Sequence, residues 1–268
     1  MRTIQEVIAP EHPHWTKEIV EKVIKEHSVE YTIDNDCIFY KRMLVAYDFS
    51  KNPLFDKYRT VFITIDRGIV LSTRNSMQIN NRFSDTKLIG KLDFQRYLAR
   101  LHKLRRHHMI ALGPVAFLSL TGHRRKSTDW INLRYVNRYE IRGSKIFFQT
   151  IPIEDEDIIF EFPCTKYLAK NFEIYLKSNS HVLQMIISYL SELDCKVKIH
   201  NRKTILCRNH KSKKSNLQDL PDIQTVTADV MKNRINYVSE RVLEEHDVVK
   251  IQDHGLAYRI LKRLTNHH

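Results

Sequence analysis

The sequence predicts an α+β fold, with an antiparallel β-sheet core, flanking helices and a helical C-terminal extension. Three observations carry that expectation. Apolar residues recur at helical spacing near the start of the 268-residue chain. Short segments rich in β-branched and aromatic residues then follow one another too closely for βαβ crossovers. Helical spacing returns further on, before and after a second group of strand-like segments. The 12 Tyr and 12 Phe suit half-buried strands.

The first helix is expected from about Thr16 to His27, in "WTKEIVEKVIKEHS". There Ile19, Val20, Val23, Ile24 and His27 share a face opposite charged residues. Strands are expected in "VEYTI", "DCIFYK", "MLVAYDF", "YRTVFITI", "GIVLST" and "SMQIN". Asp34-Asn35-Asp36, Asn52-Pro53 and Asp66-Arg67-Gly68 supply the turns, and "VFITIDRGIVLST" reads as a hairpin. From Asp85 the period becomes helical. Phe94, Leu98, Leu101 and Leu104 form an apolar stripe, while Arg96, Arg100, Lys103 and His107 form a basic one. "VAFLSL", "WINLRYVNRYEI", "SKIFFQTI" and "DIIFEF" resume as strands, and "NFEIYLKSNSHVLQMIISYLSEL" reads as one long helix or two. "SNLQDLPDIQ" reads as a linker. Helical spacing recurs at Met231, Ile235, Val238 and Val242, and in "GLAYRILKRL". The chain thus divides into an N-terminal helical segment 1–28, an α+β core 29–214 and a helical extension 215–268.

Net charge is +13, a sign that favours an anionic partner: nucleic acid, an anionic membrane surface or another polyanion. The excess is local. Between Arg82 and Arg142, Lys and Arg outnumber Asp and Glu by 14 to 4. A second basic knot, "NRKTILCRNHKSKK", spans Asn201 to Lys214. The four cysteines form no C-x-x-C pair, the usage of a reducing compartment. The N-terminus lacks the apolar core of a signal peptide, and no apolar run reaches about 20 residues, the length of a membrane span. A soluble cytoplasmic protein is expected.

The segment "GHRRKSTDWINLRYV" places Arg124, Arg125 and Lys126 just before Trp130, one of two tryptophans. Trp130 is expected in the core, where its bulk pins the base of a cationic loop. Arg96, Arg100, Lys103, Arg105, Arg106 and Arg134 add further cations. Together these nine residues are the expected DNA contacts. Lysines and arginines on phosphate give affinity without sequence readout, whereas arginines inserted into a narrow A·T minor groove can read it. Histidines His12, His14, His107 and His108 read as surface residues without acidic or thiol partners.

Other chemistries are weaker in the string. Cys195, His200, Cys207 and His210 are soft and imidazole donors suited to zinc, but their C-x4-H-x6-C-x2-H spacing is irregular for a structural site. Asp194-Cys195-Lys196 has the D-x-K spacing of a metal-dependent nuclease, with Asp155, Glu156 and Asp157 upstream. The acidic run reads equally as a solvated hairpin turn. P-loop, GxGxxG, GxSxG and HExxH motifs are absent. No catalytic residue, metal or cofactor is expected. A metal-dependent nuclease and a non-specific basic scaffold for nucleic acid stand as alternatives to a DNA-binding regulator.

The stretch "MIALGPVAFLSLTGHRRKSTDWINLRYVNRYE" resembles the central segment of the ComK family of bacterial competence transcription factors. Met109 to Pro114, Phe117 to Gly122, the polar and basic loop His123 to Asp129, and Trp130-Ile131-Asn132 match that family's order. "SKIFFQ" and "IIFEFPCTKYLAKNFEIYL" are similar to its later strands and closing helix. The resemblance covers about residues 31–190 and is densest from Met109 to Phe162. The sequence departs from the family near Asn75-Ser76, where a Cys-containing segment is missing, and in a basic helical insertion and the C-terminal extension. The resemblance implies a sequence-preferring activator on AT-rich promoter DNA, acting as a homo-oligomer. It also implies control by a proteolytic adaptor and an ATP-dependent protease.

Overall fold

The computed structural model describes residues 14–86, 92–106, 108–121, 127–153, 155–195, 203–212 and 221–232. The chain forms two compact units, Met1–Leu220 and Pro221–His268. In the second, residues 223–232 are helical, with Asp222 accepting from the Thr225 amide at the start of the helix.

The first unit is α+β, and its sheets are largely antiparallel. Strand β1 (His14–Trp15) leads into helix α1 (Lys17–Lys25). Thr16 caps α1 by accepting from the Ile19 amide, and Val20, Val23 and Ile24 are its buried face. Strands β2 (Tyr31–Ile33), β3 (Met43–Asp48), β4 (Thr60–Thr64) and β5 (Gly68–Ser72) follow. Helices α2 (Ser76–Asp85) and α3 (Leu92–Leu101) come next, then β6 (Met109–Ala111), β7 (Ala116–Ser119) and β8 (Trp130–Asn132). A 3-10 turn, Leu133–Tyr135, leads to β9 (Val136–Arg142), β10 (Lys145–Thr150) and β11 (Ile159–Pro163). Helix α4 (Lys166–Glu192) and helix α5 (Ile205–Ser212) close the unit.

The strands form a seven-stranded sheet, β2-β5-β4-β3-β8-β7-β6, and a four-stranded sheet, β1-β11-β10-β9. Two pairs, β1 with β11 and β2 with β5, are parallel and lie at sheet edges. The expected hairpin is β4-β5, in register from Thr60 opposite Ser72 to Thr64 opposite Gly68.

Four expectations are corrected. "SMQIN" is helical, because Asn75 and Gln78 form a reciprocal capping box that starts α2. "DCIFYK" is not a strand: it crosses the sheet as irregular chain and delivers Phe39, 1% exposed, to the core. "WINLRYVNRYEI" is two strands in different sheets. Asn132 turns the corner, accepting from the Arg134 amide at 3.1 Å and donating to the Met43 carbonyl at 2.9 Å. The third basic position of the expected helical stripe, Lys103, lies beyond α3, because its left-handed backbone closes the helix at Leu101. The 27 residues of α4 make one helix, not two.

Strands β3, β4 and β5 are buried on both faces. One face packs Met43, Ala46, Phe62 and Val70 against Phe39, Ile79, Phe83, Ile110, Phe117 and Trp130. A register shift between Met43 and Val45 lets Met43 and Ala46, three residues apart, point the same way. Towards the four-stranded sheet, Tyr47 stacks on Phe162 at 5.4 Å, and Phe148 meets both Phe162 and Phe172 of α4. Helix α4 thus shares a core with both sheets. Gly113, at φ +78°, lies against it. A Cβ there would meet the Leu183 backbone and Ile186 Cδ1 at 3.1 Å.

The β6 edge of the large sheet is closed by side-chain amides. Gln95 of α3 donates to the Ala111 carbonyl at 3.0 Å and accepts from the Ala111 amide at 2.9 Å. Asn179 of α4 does the same for Gly113, at 2.7 and 3.0 Å. Each amide mimics a neighbouring strand and leaves no backbone group unpaired at that residue.

Candidate nucleic-acid interface

Helix α3 buries Phe94, Gln95, Leu98 and Ala99 and leaves Arg100 exposed. It ends at Leu101. The Lys103 amide donates to the Arg100 carbonyl at 2.9 Å and the Leu104 amide to that of Ala99 at 2.7 Å, with Lys103 at φ +56°. This is a Schellman cap whose left-handed position is a lysine rather than a glycine. Leu104, 7% exposed, folds back into the core. The cap turns the chain, so Lys103, Arg105 and Arg106 project from a turn instead of continuing a helical stripe. All three are exposed.

Arg106 is held by two tyrosines of α4. Its amide donates to the Tyr167 hydroxyl at 3.0 Å, and its carbonyl accepts from the Tyr175 hydroxyl at 2.8 Å. Its guanidinium lies over the Tyr167 ring, 5.3 Å from the centroid. Burial pushes the Tyr175 phenol far up, so this hydroxyl stays protonated and able to donate. Below the turn, His108 is fully buried between these rings, with Nδ1 3.1 Å from the Ser119 carbonyl. Burial lowers its pKa against the opposing pull of that hydrogen bond, and Arg106 lowers it further. His102 packs edge-on to His181, 5.6 Å between centroids. Burial, then His181 and Lys177, bring His102 down to about 4. Among the described residues, the positive charge of this turn at neutral pH is therefore carried by arginine and lysine.

Among the described residues none of Arg100, Lys103, Arg105 and Arg106 has a carboxylate partner. Arg96 differs: it is bridged to Asp93 at 3.2 Å, one turn earlier on α3. Arg134 is half-buried on the 3-10 turn and donates to the Pro114 carbonyl at 3.3 Å. No described contact joins Arg134 to the Arg100–Arg106 group.

Arg124, Arg125 and Lys126 lie outside the described residues; the stem of their loop is described. The Thr121 amide and hydroxyl both reach Thr128 Oγ1, at 3.0 and 2.8 Å. The Thr128 amide donates to Ser76 Oγ at 2.9 Å, at the start of α2. Asp129 accepts from the Asp48 amide at 2.7 Å and pairs with Lys17 at 3.5 Å. Burial holds the Asp129 carboxyl above the usual carboxylate range, with Lys17 pulling the other way. Asp48 in turn accepts from Ser76 and Ser50. Trp130 is fully buried and lies 5.0 Å from the Phe39 ring, as a core anchor should. Sequence reading missed this stem. The hydroxyls of Thr121 and Thr128 gave no periodic signal, and their partner Ser76 is 52 residues from Thr128. Of the two tyrosines, Tyr175 fell within the expected helix and Tyr167 four residues before it, and neither gave a sign of its contact with Arg106.

Two histidine expectations are corrected. His108 is in the core, not on the surface, because it fills the space between Tyr167 and Tyr175. His14 has an acidic partner, Glu161 at 3.0 Å, because β1 pairs with β11. His12 and His107 lie outside the described residues.

The metal candidates are not brought together by anything described. Cys195 is exposed and Cys207 is buried. His200 lies outside the described residues, as does the side chain of His210. Among the described residues no group of three or more His, Cys, Asp and Glu could hold a metal ion. Asp194 takes the left-handed position after α4, at φ +55°, and Lys196 lies outside the described residues. Asp155 sits at φ +69° in the turn closed by Ile153 and Glu156, and Asp157 accepts from Gln149 at 2.6 Å. No described helix is long and apolar enough to cross a membrane. Comparison of the chain with protein-family models, curated proteins and solved structures finds no match.

Proposed function

We propose that this chain is a DNA-binding transcription regulator of the ComK type. In this reading it acts in the cytoplasm as a homo-oligomer on AT-rich promoter duplexes, under the control of a proteolytic adaptor. The observation that carries the DNA-binding part is the cationic turn after α3. Arg100, Lys103, Arg105 and Arg106 are exposed without carboxylate partners among the described residues, and Arg106 is braced on Tyr167. Cations held in this way contact phosphates without first breaking an ion pair. The preference for AT-rich DNA rests on the resemblance and on Arg124 and Arg125, whose loop springs from a hydrogen-bonded stem.

The test is fluorescence anisotropy on AT-rich and GC-rich duplexes over a salt series. Changing Arg100, Lys103, Arg105 and Arg106 together to Gln should weaken binding about equally on both duplexes. It should also flatten the slope of log K against log salt by about 3–4 units, since each neutralised phosphate accounts for about 0.9 of that slope. An unchanged slope overturns the assignment of this turn. Equal affinity of the wild type for both duplexes overturns the regulator reading in favour of a non-specific one.

A further inference from the structure

A second surface, remote in sequence from the cationic turn, combines strain, an exposed phenylalanine and cations without a carboxylate partner among the described residues. Between β3 and β4 the chain makes a narrow turn, closed by reciprocal backbone hydrogen bonds between Leu54 and Tyr58, both at 2.9 Å. Leu54 is fully buried and Tyr58 is 8% exposed, so the turn is anchored at both ends. Phe55 stands at its tip, 41% exposed. Phe55 and Asp56 have φ of +49° and +56°. That is the left-handed region, where a bulky side chain is an outlier and glycine or asparagine is the ordinary choice.

A strained, exposed phenylalanine does nothing for the core. It is nevertheless held in a defined place. His27 stacks on the Phe55 ring at 6.0 Å and 13°, Tyr31 lies at 6.3 Å, and Tyr58 meets it edge-on at 6.4 Å. Ile33, 55% exposed, is two residues beyond Tyr31 on β2 and so shares its face. Three cations lie in or beside the turn: Lys57 within it, and Lys51 and Arg59 outside it. They are exposed and have no carboxylate partner among the described residues. Lys57 Nζ lies 5.6 Å from the centre of the Tyr58 ring. Residues 51–59 carry three cations and one carboxylate, Asp56, while Glu26 and Glu30 adjoin His27 and Tyr31.

We infer that Phe55 is a stacking platform for an unpaired nucleobase, with Lys51, Lys57 and Arg59 taking the flanking phosphates. An exposed ring beside cations is how proteins hold single-stranded nucleic acid without reading its sequence, because every base has a π-face. A duplex offers no free base face, so this surface adds single-strand binding to the duplex contacts proposed above. The inference rests on that nucleic-acid reading and names the residue and strand state for a separate site.

The test compares wild type, Phe55→Ser, Phe55→Gly and Phe55→Trp by anisotropy on labelled oligothymidylate and on a duplex. Circular dichroism shows whether each variant is folded. Phe55→Ser and Phe55→Gly should weaken oligothymidylate binding about tenfold, the scale of one base–aromatic stack, and leave duplex affinity unchanged. Phe55→Trp should restore or exceed wild-type affinity. Phe55→Gly should fold at least as well as Phe55→Ser, because glycine suits a positive φ. If wild type binds both probes and Phe55→Gly binds oligothymidylate equally well, this inference falls and the duplex reading stands. Wild type that binds neither probe overturns both. A wild-type dimer that Phe55→Ser dissociates in the absence of nucleic acid would assign the patch to self-association and overturn the stacking role.

Discussion

Acidification should destabilise this fold through His102, by an amount that can be worked out. The imidazole is packed against His181 and lies near Lys177. Its Nε2 is buried without a hydrogen-bond partner among the described residues. A proton on His102 therefore gains no acceptor and meets like charge. The folded-state value of about 4 lies below the ordinary 6.5. Between those two values the unfolded chain binds the proton and the folded chain does not. Stability from this group is thus complete above pH 6.5 and is lost as pH falls towards 4. Full loss would be about 3 kcal/mol, and loss at pH 5 about 2 kcal/mol. The ring keeps some contact with solvent, which lowers the expected loss at pH 5 to about 1–2 kcal/mol. The assay is urea unfolding of wild type and His102→Asn at pH 7, 6 and 5. Carboxylates titrate in both proteins, so the difference between the two profiles isolates His102. Wild type should lose about 1–2 kcal/mol more than the variant between pH 7 and pH 5. Parallel profiles would refute the reasoning, and so would a wild type that gains on the variant as the pH falls.

Two further outcomes follow from the core and the sheet edge. Trp130→Ala should lower unfolding free energy by about 3–5 kcal/mol, since it empties a fully buried indole site beside Phe39. DNA affinity of the folded fraction should be unchanged; a stable variant that no longer binds would place the indole at the ligand. Gln95→Leu should cost about 2–4 kcal/mol, because it strands both the amide and the carbonyl of Ala111 in the interior. Chemical denaturation measures it, and a loss below about 0.5 kcal/mol would mean that water replaces the amide.

What the sequence by itself determined was the fold class and the interiors of its elements. The face of α1, the β4-β5 hairpin, the alternation in β10 and β11 and the burial of Trp130 all follow from local periodicity and side-chain shape. These are properties of a few neighbouring residues. The ends of helices were less legible because the chain has only 6 glycines. The left-handed positions that close α1, α3 and α4 are taken by His27, Lys103 and Asp194. No glycine marks those stops, so the basic stripe of α3 was read past its end. The candidate interface depended on that detail, since the cap converts a helix face into a projecting turn.

Tertiary structure alone decided the rest. That Tyr167 and Tyr175 brace Arg106 required α4 to lie along a segment more than 60 residues earlier. The stem of the basic loop is tied by Thr128 to Ser76 and by Asp129 to Asp48, pairings 52 and 81 residues apart. The corner at Asn132, which sends one apparent strand into two sheets, depends on carbonyls of Lys41 and Met43. Backbone polar groups must be paired somewhere, but local sequence says only that they need partners. Which distant side chains supply them is settled when sheets and helices pack, because only the packed chain brings those donors and acceptors within hydrogen-bonding distance.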